Sequence, residues 1–184
     1  LPMIRKLYKE PVRKIKTPIA VINVNFTYGV LTNFRDKFVE SAIKGCQLAG
    51  IDYILTQHPM DEGVYPVKDI SKADMYETIR NGSIFISRFS GAIIESLALG
   101  KPCVYHNPHD EKILKFQEPL GAYSISYSAE SLAKAIKKEL KKAELEPVRE
   151  YSKAFMKLHA NITDKEEPED KISNILAKLL SKSN

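Results

Sequence analysis

Between residues 87 and 95 the chain gathers two hydroxyls, a guanidinium, a glycine and a carboxylate, in the order Ser87, Arg88, Ser90, Gly91, Glu95. Such a set can hold a phosphorylated ligand. Backbone amides at a helix start, with the positive end of the helix dipole, attract phosphate oxygens, and a glycine lets a ligand come close to the main chain. Ser90 suits an N-cap, because its hydroxyl accepts from the free amides of the first turn. Arg88 beside a diphosphate would be a suitable bidentate partner; beside an acid it would simply form a salt bridge. Glu95 needs a separate reason. It lies beyond the N3 position that a capping box uses, inside A-I-I-E-S-L-A-L, a run that is apolar on nearly every side. One reading sends its charge to solvent, or to Arg88 or Lys101. The other has it accept hydrogen bonds from the vicinal hydroxyls of a ribose whose phosphates the turn holds.

The flanking pattern says what positions these groups. Residues 84–86 are a short buried strand, 92–99 a helix packed against a sheet, Gly100 its C′ residue, and Pro102 a stop. Upstream, I-A-V-I-N-V after Pro18 suits an interior strand of a parallel sheet. Thr32 opens a helix to about residue 48, with Phe34, Phe38, Val39, Ile43 and Cys46 inward, and Gly50 ends it. A strand follows at 52–57. Residues 60–72 read as loop with a short strand near Val64, and 74–80 as a short helix. Downstream, strands are predicted at 103–106 and 123–125 and helices at 111–117, from Ser128, at 147–160 and at 169–181, with an acidic turn over 164–170. Strand and helix alternate about five times, which predicts an α/β, Rossmann-like doubly wound parallel sheet.

In such sheets ligands lie beyond the carboxyl ends of the strands. Four segments fall there: Asn25 to Gly29, with Tyr28 and Gly29 at a turn; His58 and Pro59; Ser87 with Arg88; and His106-Asn107-Pro108-His109-Asp110. The last invites a metal, yet its spacing matches no standard zinc signature, so no metal or cofactor is expected.

The run S-R-F-S-G-A-I-I-E-S-L-A-L-G-K-P resembles the nucleotide-sugar signature in the C-terminal domain of GT-B glycosyltransferases. It is similar to that of the lipid II N-acetylglucosaminyltransferase, the UDP-N-acetylglucosamine 2-epimerases and the transferases of capsule and teichoic-acid synthesis. It departs in placing Phe89 between Arg88 and Ser90. The likeness is specific over 84–102 and looser over 18–182. It implies that Ser90, Gly91 and Ala92 face the diphosphate, that Glu95 holds the ribose, and that His58, His106 and Asn107 lie near the base, sugar or acceptor. Arg88 and His58 are the catalytic candidates, Arg88 by stabilising the leaving group. The implied function is the donor-binding half of a glycosyltransferase using a UDP-linked sugar to build a cell-surface polysaccharide or glycolipid. The partner half, an N-terminal GT-B domain or another chain, would supply the acceptor contacts. A UDP-sugar 2-epimerase domain and a non-catalytic donor-binding subunit are the alternatives.

The 184 residues are 43% hydrophobic, enough for one domain with a substantial core. The net charge of +5 resides wholly in residues 1–16, where six basic side chains face Glu10 alone. That segment, with Pro2, Pro11 and Pro18, reads as a basic interdomain linker over 1–17, with contact to an anionic membrane surface as the sharper view. Basic residues so confined do not predict nucleic-acid binding. Leu1-Pro2-Met3 predicts a fragment of a longer polypeptide. Cys46 and Cys103 fit buried reduced thiols of a cytoplasmic protein.

Overall fold

β-Branched residues make Ile19–Val24 a strand, β1. It pairs in parallel with Asp52–Gln57, β2, from Ile19 opposite Asp52 to Val24 opposite Gln57. On its other side β1 pairs with Ile84–Ser87, β3, and the sheet continues through Cys103–His106, β4, to Ser124–Ser126, β5. All five run parallel in the order β2-β1-β3-β4-β5. The chain thus moves outward in one direction after β1 and in the other after β2, which places the topological switch point between β1 and β3. The computed structural model describes residues 2–65, 70–162 and 168–181.

Alternation along the strands supplies two cores. Ala20, Ile22 and Val24 face one layer with Phe38, Val39 and Cys46 of α2 (Arg35–Ala49) and Leu132 and Ile136 of α6 (Ala129–Leu145). Val21, Phe85 and Tyr105 face the other. That layer holds α1 (Pro2–Lys9), α3 (Met75–Asn81), α4 (Ala92–Ala98), α5 (Leu114–Gln117), α7 (Val148–Tyr151) and α8 (Lys153–Ala160). A last helix, α9, covers Pro168–Leu180. Ile93, Leu97, Ala98 and Leu99 are buried around α4, as an all-round apolar helix requires.

Local chemistry sets the ends. Asp74 accepts from the Glu77 amide at 2.9 Å to cap α3, and Ser128 and Ser131 form a reciprocal box at the start of α6. Gly100 follows α4 with φ of +74°, and a side chain there would strike Val12.

Several expectations are corrected. Residues 2–9 are helical: Ile4 and Leu7, one turn apart, bury themselves against α4, so a segment expected to be linker forms part of the domain's surface. Arg149 ties it down by donating to the carbonyls of Leu7 and Glu10 at 3.1 and 2.7 Å and of Ala98 at 2.9 Å, a cation at two helix C-termini. Arg80 holds Glu10 through two contacts of 2.9 and 3.1 Å. Exposed chain resumes at 11–14. The helix expected at 32–48 begins as a 3-10 turn, Thr32–Phe34. The helix expected at 111–117 starts only at Leu114, because Glu111 is drawn into the interior. The 147–160 helix is broken at Ser152. No strand forms at Val64; Ile70 bridges Leu55 instead. Most of the acidic stretch 164–170 lies outside the described residues.

Candidate functional site

At the carboxyl end of the sheet the register builds a buried polar rung. Thr56 donates from Oγ1 to Asn23 Oδ1 at 3.1 Å, and Asn23 Nδ2 donates to Ser87 Oγ at 3.0 Å, joining β2, β1 and β3. All three are buried. Beyond the rung, Asn25 donates to the Phe89 carbonyl at 3.2 Å, which ties the loop after β1 to the turn after β3. The Oδ1 of Asn25 is buried without a partner. The switch-point crevice therefore has one wall from residues 25–29 and one from residues 88–91.

The second wall differs from its expected form. Arg88 is 1% exposed, with its guanidinium over Phe26 and Phe89 and against Glu111. Its Nε donates to Glu111 Oε2 at 3.2 Å, and its Nη2 stands 3.2 Å from the same oxygen. Glu111 also accepts from the Phe89 amide at 2.9 Å, from the Tyr105 hydroxyl at 2.8 Å and from His109 Nε2 at 3.0 Å. Burial pushes the Glu111 carboxyl up, yet these donors together hold it below its ordinary value. Arg88 is thus committed to an interior ion pair, the bland alternative for this residue, and does not face the crevice. Glu111 is the hub that fixes the turn.

His106 and Asn107 also turn inward. His106 lies between Ser126 at 2.9 Å and Ser41 at 3.0 Å, and burial pushes its imidazole down to about 3, so it is neutral. Asn107 closes its own loop, donating to the Glu111 carbonyl at 2.9 Å while its Oδ1 accepts the Glu111 amide at 2.7 Å. Asp110 pairs with Lys112 in solvent and His109 with Glu111, so the cluster at 106–110 does not converge on a common point. Among the described residues no three His, Cys, Asp or Glu side chains gather as metal ligands would.

The remaining candidates lie on the segments that follow β1, β2 and β3. The Ser90 hydroxyl accepts from the Ala92 amide at 3.2 Å and its carbonyl from Ile93 at 3.2 Å, so Ser90 caps one residue earlier than an N-cap and Gly91 takes that place. Gly91 has ordinary helical angles, and a Cβ on it would touch nothing. Tyr28 is 78% exposed and, with Gly29, adopts the left-handed conformation. His58 is exposed after β2; its Nδ1 accepts from the Met60 amide at 3.1 Å, which leaves the proton of the neutral ring on Nε2.

Glu95 lies in the first turn of α4 and is half-buried. Neither suggested cation reaches it: Arg88 is with Glu111, and Lys101 donates to the Arg13 carbonyl at 3.0 Å. Its oxygen Oε1 accepts instead from the Tyr76 hydroxyl at 3.0 Å. Burial pushes its carboxyl up, and the Tyr76 bond partly counters this.

Sequence reasoning missed Tyr76, Glu111 and Asp61. Asp61 is a second buried hub, accepting from the Phe26 amide at 2.8 Å, Arg35 at 3.0 Å and Tyr65 at 2.6 Å. Its 2.9 Å bond from the Gly63 amide is an Asx turn, legible in the spacing D-E-G. Nothing local marks Glu111 or Tyr76.

No family model matches the chain, and no curated protein matches it in sequence. Solved structures are similar in fold. The chain superposes on the spinosyn forosaminyltransferase SpnP with a TM-score of 0.59 at 16% identity, over 96% of this chain and 46% of that one. For the wall teichoic acid polymerase TagF the values are 0.54, 16%, 98% and 46%. For CalG4, the calicheamicin glycosyltransferase, they are 0.51, 14%, 80% and 40%. The chain therefore has the fold of a GT-B half-domain and spans less than half the length of these solved chains.

Proposed function

We propose that this chain is the donor-binding half of a GT-B glycosyltransferase that takes a nucleoside-diphosphate sugar, UDP-linked by the resemblance of its signature. The single observation that carries this reading is the composition of the switch-point crevice. A Ser90-Gly91 turn with open space above it precedes a half-buried carboxylate that no cation among the described residues neutralises. That pairing suits a diphosphate followed by a ribose. The diphosphate would lie over the Ser90-Gly91 turn and the start of α4, and the ribose hydroxyls would donate to Glu95. Tyr28, Gly29 and His58 would border the base or sugar from the loops after β1 and β2.

The chemistry belongs to the leaving nucleoside diphosphate. Preorganised donors that neutralise its developing charge are worth about 10²-fold or more each. Here those donors would be backbone amides held in place by the Arg88–Glu111 pair, so Arg88 acts through the turn. Acceptor contacts would come from a second half, an N-terminal domain or partner chain. Two observations support it: the chain spans 46% of SpnP, and α9 leaves Ile172, Ile175 and Leu176 exposed along one stripe. No described helix is long and apolar enough to cross a membrane. The basic residues near α1 are suited to peripheral contact with an anionic membrane surface.

Calorimetric titration with UDP, CDP and GDP tests the reading. Weak binding of a uridine nucleotide without turnover is expected, and no heat with any of the three would refute it. Glu95→Ala should weaken binding by about 1.5–3 kcal/mol, the worth of a charge-assisted hydrogen bond, while the melting temperature holds.

A further inference from the structure

Tyr76 stands in the first turn of α3 and Glu95 in the first turn of α4, so both helices present these residues toward the carboxyl edge of the sheet. The tyrosine ring packs against the core that includes Ile79 and Ile94, and its hydroxyl lies 3.6 Å from Met3 Sδ of α1. Of the two acceptors in its reach, Glu95 Oε1 at 3.0 Å is the nearer and the stronger. The hydroxyl remains a donor at neutral pH: burial, and after it the Glu95 charge, push its pKa up to about 12. Asp74 and Arg80, the other charged groups acting on it, pull in opposite directions. Among the described residues no ion pair reaches Glu95.

An ionised carboxylate has about four lone-pair positions. Tyr76 occupies one of them on Oε1. Among the described residues no second donor to this carboxylate is seen, which leaves Oε2 and the rest of Oε1 to a ligand, and two adjacent hydroxyls would supply two such donors. A buried or half-buried acceptor left unmet carries a desolvation penalty, so a ligand lacking one hydroxyl is disfavoured.

We propose that Tyr76 is a positioning residue: it fixes the Glu95 carboxylate so that its remaining lone pairs select a vicinal diol, and the site thereby discriminates ribonucleotides from 2′-deoxyribonucleotides. The proposal rests on the donor-domain reading above and adds to it a residue and a selectivity.

The test is calorimetric affinity for UDP and CDP and for their 2′-deoxy forms, measured on the whole chain and on Tyr76→Phe, Glu95→Gln and the double variant. The unsubstituted chain should favour the ribo forms by about tenfold to a hundredfold. Tyr76→Phe keeps the ring, so its melting temperature should stay close to that of the parent. Its ribo affinity should fall roughly threefold to tenfold, and its ribo-to-deoxy ratio should shrink. In the Glu95→Gln background the tyrosine substitution should change nothing further, as expected for two groups acting as one. Tyr76→Leu, a smaller apolar side chain that also lacks the donor, should give the same ratio and stands in should Tyr76→Phe fail to fold. An unchanged ratio in both tyrosine variants overturns the role of Tyr76 alone. Equal affinity of the parent for ribo and deoxy forms overturns the selectivity and leaves the donor site standing. Absence of binding to any of the four overturns both.

Discussion

Replacing Glu111 with alanine should be among the most damaging single substitutions in this domain, more so than replacing the arginine it pairs with. The carboxylate meets Arg88, the Phe89 amide, Tyr105 and His109 within 2.8–3.2 Å, and it is almost fully buried. Its removal leaves a guanidinium in the interior without a counter-charge, and strands a tyrosine hydroxyl and a backbone amide as well. Breaking a buried pair in this way costs about 3–5 kcal/mol. For a chain of this size that corresponds to a fall in melting temperature of about 6–20 °C. Arg88→Met, by contrast, leaves the carboxylate three other donors and should cost less. Protonation gives a second handle. Glu111 titrates below its unfolded value, so its contribution is fully present above the unfolded carboxyl value of about 4.3 and is lost as pH falls through the lower folded value. Urea denaturation followed by circular dichroism at pH 7 and pH 3 would read both effects: a large gap between parent and Glu111→Ala at pH 7 that narrows at pH 3. A loss below about 1 kcal/mol at pH 7, or a cost for Arg88→Met that exceeds it, would refute the assignment of Glu111 as hub.

Two further predictions concern the same edge of the sheet. Gly91→Ala should raise stability by about 0.4–1 kcal/mol, because its angles are helical and a Cβ meets nothing, yet it should weaken nucleotide binding. Denaturant melts and titration on one preparation separate the effects, and unchanged affinity would mean that no ligand approaches there. His106, held neutral with its pKa near 3 against about 6.5 when unfolded, makes the unfolded state the better proton binder between those values. Stability should therefore fall as pH drops below 6.5, by about 1.4 kcal/mol per unit from this group. A His106→Gln chain should show a shallower slope in urea melts between pH 7 and pH 4; equal slopes would contradict a neutral buried imidazole.

Much of this was legible in the sequence because it depends on neighbours along the chain. The run Ile19–Val24, the Ser90-Gly91 turn, the all-round apolar 92–99 and the stop at Gly100 each follow from residues a few positions apart. So does the burial of Cys46 and Cys103, whose thiols burial pushes up to about 12. The N-terminal segment misled for a related reason: its charge density hides the one-turn spacing of Ile4 and Leu7, and only contact with α4 gives that spacing a use.

The sequence by itself determined the alternation of strand and helix, and with it a carboxyl edge carrying a serine, a glycine and a helix carboxylate. The tertiary structure decided which side chains on that edge are available. Arg88 and Glu111 are 23 residues apart, and Tyr76 and Glu95 are 19 apart. Whether each pair meets depends on the strand order and on loop closure, which no local spacing encodes. Two charges close enough to pair are drawn together in the low-dielectric interior, so Arg88 goes to Glu111 and not to the crevice. Glu95, which no cation among the described residues reaches, stays half-buried in the first turn of α4, just after β3.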